Sequence, residues 1–149
     1  MAEEILQALR SVHWLASLPD ELLQQIATFS TLRSVRTDET IFCQSEPSPF
    51  CFGIVRGKIS LQYVSRDAAQ SPQVVGVLEA GELFGESALF EESPRATMAS
   101  AVQPGQLVAI FGARWRTWVQ EALATGSPSV NHSLQDALAQ LQKARPFIA

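Results

Sequence analysis

The segment Gly81–Ala96 contains the residues of this chain whose types and spacing suit the binding of a small anion. It consists of the end of an apolar strand, Gly85, a short helical turn at Glu86–Leu89, a polar loop and Arg95. The turn would present free backbone N–H groups at its N-terminus, which is where anions bind. The guanidinium of Arg95 can donate two parallel hydrogen bonds to one phosphate. The segment therefore predicts a phosphate site.

The acidic residue of this segment indicates a second group on the same ligand. Glu86 cannot bind a phosphate, because two negative charges repel each other. Its carboxylate can accept a hydrogen bond from a sugar hydroxyl. A phosphate and a sugar hydroxyl on one small molecule predict a nucleotide as the ligand.

Each of these residues also has a purely structural interpretation. Arg95 could pair with Glu91 or Glu92 in a surface ion pair, which would contribute little to stability. Glu86 could be a carboxylate that interacts with the dipole of the helical turn. Gly85 could be a plain turn glycine, and that role is compatible with a binding role.

The composition is that of one globular domain. The chain has 149 residues, of which 46% are hydrophobic and 17% charged, so it can bury a core and is not typical of disordered chains. The net charge of −4 does not favour a nucleic-acid surface, which is usually basic. No apolar run is long enough to span a membrane, and the acidic N-terminus does not resemble a signal peptide. We therefore expect a cytoplasmic protein without nucleic-acid or membrane partners.

The two cysteines and two histidines do not predict a metal site. Cys43 and Cys51 lie in apolar stretches, and no His/Cys cluster has the spacing of metal ligands. Both cysteines are predicted to be buried free thiols.

The elements that must position the site alternate in character along the chain. Residues 2–15 have apolar side chains three and four positions apart, which predicts a helix, and Asp20 is a candidate N-cap of a second one. Short β-branched and apolar runs with Gly and Pro turns follow, which favours a sandwich or barrel. The predicted strands are Leu32–Val35, Thr40–Cys43, Phe50–Val55, Lys58–Ser65, Gln73–Leu78, Thr97–Val102 and Leu107–Phe111.

Turns and terminal helices complete the predicted architecture. Arg56-Gly57 predicts a hairpin, and 66–72 an exposed hairpin tip. A helix is predicted from Ala113 to the stop at 126–128. A last helix, capped by Ser129 or Asn131, carries an apolar stripe of leucines.

The residues Phe84–Leu89 followed by Pro94–Ala96 resemble the phosphate-binding cassette of the cyclic nucleotide-binding domain family. That family includes the regulatory subunits of cyclic AMP-dependent protein kinase and the bacterial catabolite activator protein. The resemblance implies a mainly β fold with flanking α-helices, built on an eight-stranded jelly-roll barrel. It implies a single domain over 1–149, with N-terminal helices at 1–31, the barrel at 32–111, the cassette at 84–96 and two C-terminal helices at 113–145.

The resemblance also implies a role for each cassette residue. Arg95 would pair with the exocyclic oxygens of a cyclic phosphate, and the backbone N–H groups of Ala88 and Ala96 would complete the phosphate site. Glu86, with the backbone of Gly85, would hold the ribose 2′-hydroxyl. The full expected ligand-binding set is Phe84, Gly85, Glu86, Ser87, Ala88, Arg95, Ala96 and Thr97.

Three positions depart from the family pattern. Asp38 and Ser45 stand where the family usually has glycine; aspartate tolerates a left-handed backbone fairly well, and serine does so less readily. Ser87 replaces a usual aliphatic residue, and its hydroxyl, if buried, needs a partner such as a helix carbonyl.

The sequence indicates less directly which nucleobase is recognised and which residues of the last helix could contact it. Relatives that prefer cyclic GMP often carry threonine directly after the arginine; here that residue is Ala96, and Thr97 should face the opposite side of a strand. This favours cyclic AMP over cyclic GMP. Leu134 and Leu138 could close over the base, although core or homodimer contacts are the commoner role of such leucines.

The function that the resemblance implies is sensing rather than catalysis. The cassette lacks the metal carboxylates and the general base that a phosphodiesterase would need. We therefore expect a non-enzymatic cyclic-nucleotide sensor without a cofactor, in which ligand draws in the C-terminal helices. The alternatives are the effector domain of a Crp/Fnr-like transcription regulator without its DNA-binding part, and a degenerate barrel used for protein interaction.

Overall fold

A computed structural model describes residues 2–65, 71–91 and 94–144 as a β-sheet flanked by helices. The prediction of a mainly β fold with helices on either side in sequence is confirmed. The strands are β1 (Ser30–Val35), β2 (Thr40–Phe42), β3 (Phe50–Tyr63), β4 (Gln73–Glu79), β5 (Leu83–Phe84) and β6 (Met98–Phe111). The helices are α1 (Ala2–Ser11), α2 (Asp20–Ala27), α3 (Gly112–Thr125), α4 (Pro128–Ala144) and a 3₁₀ turn at Glu86–Leu89.

Two long strands, β3 and β6, form the centre of the sheet. The hydrogen-bonded order is β1-β6-β3-β4, and all pairs are antiparallel. The short strands attach to the long ones, β2 to β6 and β5 to β3. The pairing of β5 with β3 holds the start of the cassette against the centre of the sheet.

The predicted hairpin at Arg56-Gly57 is wrong, because β3 runs through it as one strand of 14 residues. The register between β3 and β6 shifts on both sides of Arg56, so the strand bends without reversing. The bend of β6 at Pro104-Gly105 lies directly opposite, and a Cβ at Gly105 would overlap the carbonyl of Arg56. The two bends fit against each other because glycine allows their backbones to approach closely. Six strands are therefore described where the resemblance implied eight.

Two predicted helix caps are also wrong. Asp20 is the first residue of α2, with Pro19 before it, and its carboxylate pairs with Arg10 of α1 at 2.9 Å. At α4 the hydroxyl of Ser127 accepts a hydrogen bond from the backbone of Val130 at 3.4 Å. Pro128 then occupies the first helical position, where its missing N–H costs nothing.

The buried side chains form two clusters. One lies among the helices and includes the tryptophan rings of Trp14, Trp115 and Trp118, whose centroids are 5.4–5.5 Å apart. The other lies within the strands and includes the stacked rings of Phe52 and Phe84. The cassette begins at Phe84 and so begins inside the second cluster.

The N-terminal helices contact the segment just before the cassette. The backbone N–H of His13 donates to the carbonyl of Gly81 at 2.8 Å, and the His13 ring packs where a Gly81 Cβ would be. His13 therefore has a packing role. Of the predicted hairpin tip, residues 66–70 lie outside the described residues. None of the described helices combines the length and apolar character that crossing a membrane requires.

Candidate functional site

The cassette turns away from the sheet at Gly85. This glycine has φ +70°, the left-handed region, and directly precedes the 3₁₀ turn Glu86–Leu89. A Cβ at this position would lie 3.0 Å from a terminal guanidinium nitrogen of Arg95. Glycine is therefore required both by the backbone conformation and by the approach of the arginine.

The backbone of Arg95 is anchored to the loop that follows β2. Ser45 donates its N–H to the carbonyl of Arg95 at 2.8 Å, and Arg95 donates its N–H to Glu46 at 3.0 Å. Pro47 and Pro94 form an adjacent antiparallel bridge. Ser45 has φ +71°, as expected of a position where the family usually has glycine.

The side chain of Arg95 points into the protein, with 2% of its surface exposed. One terminal nitrogen donates to the carbonyl of Gly85 at 2.7 Å, and the other donates to the carbonyls of Ser48 (3.3 Å) and Phe50. The guanidinium also lies over the ring of Phe42, 4.5 Å from its centre. This burial excludes the interpretation of Arg95 as a surface ion pair, although Glu92 itself lies outside the described residues.

The guanidinium retains a buried donor. The Nε–H of Arg95 is shielded from solvent and has no acceptor among the residues that the structure describes. Buried donors in native proteins are nearly always satisfied. The arrangement therefore leaves a position beside Arg95 that suits one more acceptor oxygen.

The hydroxyl of Ser87 is paired with Arg95. The partner that this hydroxyl needs is the guanidinium, from which the hydroxyl oxygen accepts a hydrogen bond at 3.1 Å. An aliphatic residue at this position could not make this contact. Ser87 therefore belongs to the environment of the arginine.

Glu86 lies next to this group and is completely buried. Burial lowers the pKa of Arg95, and the neighbouring Cys51 and Glu86 act in the opposite direction. Burial, with the charge of Glu86, raises the pKa of the Cys51 thiol. Cys51 is thus a buried free thiol, as predicted, while the free thiol of Cys43 is half-buried.

The remaining cassette residues divide into buried and accessible ones. Phe84 and Ala88 are buried, and the N–H of Ala88 bonds to the carbonyl of Gly85 at 3.3 Å. Ala96 is exposed and Thr97 is half-buried. The hydroxyl of Thr97 is shielded from solvent and has no partner in the described part of the chain.

The leucines considered as a base lid belong to the buried cluster that also contains Leu89 of the cassette. Leu134 is fully buried among the helices, and Leu138 packs against the same cluster. The indole N–H of Trp14 bonds to the carbonyl of Ala137, which fixes α4 against the N-terminal helical region. His132 faces solvent.

The site also contains residues that sequence reasoning did not select. Ser48 and Phe50 contribute backbone carbonyls, which leave no signal in a sequence. Phe42 contributes a ring that is indistinguishable in the sequence from any other core aromatic. Over the described ranges, no cluster of His, Cys, Asp or Glu could hold a metal ion.

Comparison with known proteins identifies the family. The model of the family described as "Cyclic nucleotide-binding domain" matches residues 32–122, more than half of the chain. The chain belongs to the cyclic nucleotide-binding domain family. The match confirms the resemblance that the cassette residues indicated, and members of this family are regulatory rather than catalytic domains.

The relatives of this cyclic nucleotide-binding domain include kinases and sensor domains. It is 30% identical over 93 residues to mouse (Mus musculus) cGMP-dependent protein kinase 2, covering 62% of this chain but only 12% of the kinase. The sensor domain of the Pseudomonas aeruginosa transcriptional regulator DNR has the same fold, with a TM-score of 0.75 at 21% identity. That comparison covers 97% of this chain and 89% of the sensor domain.

A third relative was solved with its ligand. The regulatory domain of Toxoplasma gondii PKA, crystallised with cAMP, has a TM-score of 0.69 at 21% identity. The comparison covers 95% of this chain and 49% of that one. At this identity the likeness shows the fold alone.

Proposed function

We propose that this regulatory cyclic nucleotide-binding domain is a sensor of cyclic AMP. The observation that carries the proposal is the buried Nε–H of Arg95, which has no acceptor in the described part of the chain. A phosphate oxygen would supply that acceptor in a charge-assisted hydrogen bond, which contributes about 1.5–3 kcal/mol in a buried site.

The proposed roles follow the chemistry of each group. Arg95 binds the exocyclic phosphate oxygens. The N–H of Ala96, and that of Ala88 in exchange for its bond to the Gly85 carbonyl, complete the phosphate site. The carboxylate of Glu86 accepts a hydrogen bond from the ribose 2′-hydroxyl beside the backbone of Gly85. Phe84, Ser87 and Thr97 complete the proposed ligand-binding set.

The preference for adenine rests on the residue after the arginine. Ala96 has no hydroxyl to offer the base, which favours cyclic AMP over cyclic GMP. The partly buried Thr97 hydroxyl is the competing candidate, since it has no partner among the described residues. The relatives do not decide, because they include a cGMP-dependent kinase and a PKA domain crystallised with cAMP.

The rest of the proposed organisation concerns the whole chain. We propose a single domain over residues 1–149, in which the bends of β3 and β6 close the sheet into an eight-stranded jelly-roll barrel. We further propose that the chain acts in the cytoplasm, without enzymatic activity and without nucleic-acid or membrane partners. Leu134 and Leu138 would meet the base only after α4 leaves its present position, and a homodimer through α4 would use its outward face.

Calorimetric titration of cyclic AMP into Arg95 variants tests the site. Arg95→Ala removes the phosphate contact, so we expect at least about tenfold weaker binding, equivalent to 1.4 kcal/mol. Arg95→Lys keeps the charge but loses the planar fork, and we expect an intermediate loss. Both variants remove guanidinium hydrogen bonds to the carbonyls of Gly85 and Ser48, so their folding is checked by circular dichroism.

The matched control is Arg56→Ala, which removes an exposed arginine at the bend of β3. It should bind cyclic AMP like the wild type. Equal affinity in folded Arg95→Ala and wild-type protein would exclude the proposed site.

Thermal melts with cyclic AMP, cyclic GMP and AMP test the ligand. A ligand at a hundred times its dissociation constant stabilises the protein by about 2.7 kcal/mol. We expect the largest shift with cyclic AMP and none with AMP. Thr97→Val removes the hydroxyl at nearly constant shape; a selective loss of a cyclic GMP shift in this variant would reverse the proposed preference. The absence of any shift with either cyclic nucleotide would favour a degenerate barrel.

A further inference from the structure

Two backbone segments hold the side chain of Arg95, and both also contact the first turns of α3. The first, called here the loop wall, is Ser48–Phe50. The second, the turn wall, is the 3₁₀ turn Glu86–Leu89 together with Gly85. Arg95 bonds to carbonyls in both walls and therefore crosslinks them.

In the loop wall, three successive carbonyls point alternately to Arg95 and to α3. Those of Ser48 and Phe50 accept hydrogen bonds from Arg95. The intervening carbonyl of Pro49 accepts the backbone N–H of Gly112, the first residue of α3, at 2.8 Å. A shift of this short segment towards or away from Arg95 therefore also moves the acceptor that holds the start of α3.

The turn wall contacts α3 through a side chain. The carbonyl of Ala88 accepts a hydrogen bond from the guanidinium of Arg116 at 2.7 Å. Gly112 packs against the same carbonyl so closely that a Cβ there would overlap it. The first two turns of α3 are thus held between the two walls that Arg95 joins.

The junction has room for movement. A cavity of about 140 Å³ lies between the walls and α3, lined in part by Pro49, Ala88 and Arg116. Interiors without such space resist displacement, because packed side chains do not deform continuously. Here part of the space between the walls and the helix is not filled by side chains.

We infer that Arg116 is a positioning residue that couples the position of α3 to the state of Arg95, with the Pro49–Gly112 hydrogen bond as the second connection. The regulatory meaning of this coupling rests on the proposed function. An acceptor that drew Arg95 towards itself would weaken its bonds to both walls, and a change in the walls' separation would shift the preferred position of α3.

Hydrogen exchange in the nucleotide-free protein tests the coupling independently of any ligand. Arg116→Ala should accelerate exchange of the amides at 88–91, at the end of the turn wall and directly after it, by about tenfold, because local opening there loses one restraint. In the other direction, Arg95→Lys should accelerate exchange of the Gly112 amide. Arg114→Ala, which removes an exposed arginine of the same helix, is the matched control and should change neither.

Tryptophan fluorescence tests the coupling with ligand. Trp115 and Trp118 lie on α3 and contact each other, so their emission reports its position. With saturating cyclic AMP, Arg116→Ala should bind but show less than about half of the wild-type fluorescence change, as expected when coupling between two elements is lost. Arg114→Ala should respond like the wild type.

The outcomes separate the coupling from the proposed function. If the wild type binds no cyclic nucleotide, the proposed function fails and the exchange measurement alone decides the coupling. If Arg116→Ala exchanges like Arg114→Ala, or if its fluorescence change with bound ligand equals that of the wild type, the coupling is overturned. The coupling is established if exchange accelerates at 88–91 in Arg116→Ala and at Gly112 in Arg95→Lys. Where ligand binds, Arg116→Ala must also show a reduced fluorescence response.

Discussion

At the scale of single residues, the site is built around an arginine that is already satisfied in part. Arg95 makes hydrogen bonds to backbone carbonyls and to the Ser87 hydroxyl, and it lies over the Phe42 ring. A ligand must therefore compete with acceptors of the protein itself. The binding free energy is therefore the difference between the hydrogen bonds that Arg95 makes to the ligand and those that it makes to the protein. A change in either set alters the affinity.

The backbone strain at Ser45 belongs to the same site. Ser45 and Asp38 have positive φ, at +71° and +66°. A left-handed conformation costs an L-residue about 1–2 kcal/mol, and serine has no special tolerance for it. Ser45 persists in this conformation because its N–H holds the carbonyl of Arg95. The loop thus stores strain where it positions the arginine.

Replacing Ser45 by glycine should stabilise the protein. The substitution removes the strain, which stabilises the folded state. The greater freedom of glycine in the unfolded chain destabilises the folded state by about 0.5–1 kcal/mol, so the net gain in stability is roughly 0.5–1 kcal/mol. Urea unfolding measures this gain. Ser17→Gly, at an exposed turn position that is not among the residues with positive φ, is the control and should not stabilise. A destabilised Ser45→Gly protein would contradict this account of the turn.

At the scale of elements, the connection between β1 and β2 depends on one half-buried carboxylate. Glu39 accepts a hydrogen bond from the backbone N–H of Arg36 at 3.1 Å and another from the Arg33 side chain at 3.2 Å. Both bonds lower the pKa of Glu39 below its ordinary value of 4.5, and the bond from Arg36 has the larger effect. The turn also places Asp38, whose N–H bonds to Ala101 of β6.

The stabilisation from Glu39 should therefore depend on pH. Because the folded-state pKa is depressed, the contribution is complete above about pH 4.5 and is lost as the pH falls through the lower folded value. Glu39→Gln should destabilise at pH 7 by a small amount, and the difference from the wild type should shrink towards pH 3. Urea unfolding at both pH values measures it, with Glu121→Gln as an exposed control. A difference that is the same at both pH values would contradict the linkage.

At the scale of the whole molecule, the cassette was the part most readable from the sequence. Gly85, Glu86 and Arg95 have types and spacing that already indicate phosphate and sugar chemistry, and the family match covers them. The periodicity of the helices was equally readable, because it depends on side chains alone. These features depend on residues that are close together in the sequence.

What could not be predicted depends on contacts between distant segments. The run through Arg56-Gly57 looks like a hairpin locally, and it remains one strand because Gly105 of β6 approaches it. The carbonyls of Ser48 and Phe50 are invisible in a sequence, so the inward direction of Arg95 could not be foreseen. Asp20 resembles a helix cap, but a salt bridge to Arg10 uses its carboxylate instead.

The oligomeric role of the last helix, α4, could not be predicted from the sequence either. Its leucine stripe suits a dimer seam as well as a core, and periodicity alone cannot distinguish the two. In the structure Leu134 and Leu141 are buried within their own chain, among residues of the helical cluster. Intramolecular burial and dimerisation compete for the same side chains, so a dimer through these leucines would require the core around α4 to open.

Leu134→Ala distinguishes these roles by the concentration dependence of its effect. As a fully buried core residue, Leu134 should cost about 2–5 kcal/mol of unfolding free energy when truncated, at every protein concentration. If it stabilised a dimer, the loss would grow with concentration in the range where the wild type associates. Thermal melts over a roughly hundredfold range of protein concentration measure the concentration dependence of the loss. Leu138→Ala, at a half-buried position of the same helix, is the control and should cost less unfolding free energy. A loss in Leu138→Ala equal to that in Leu134→Ala would assign the stripe to an interface. A concentration-dependent loss in either variant would do the same.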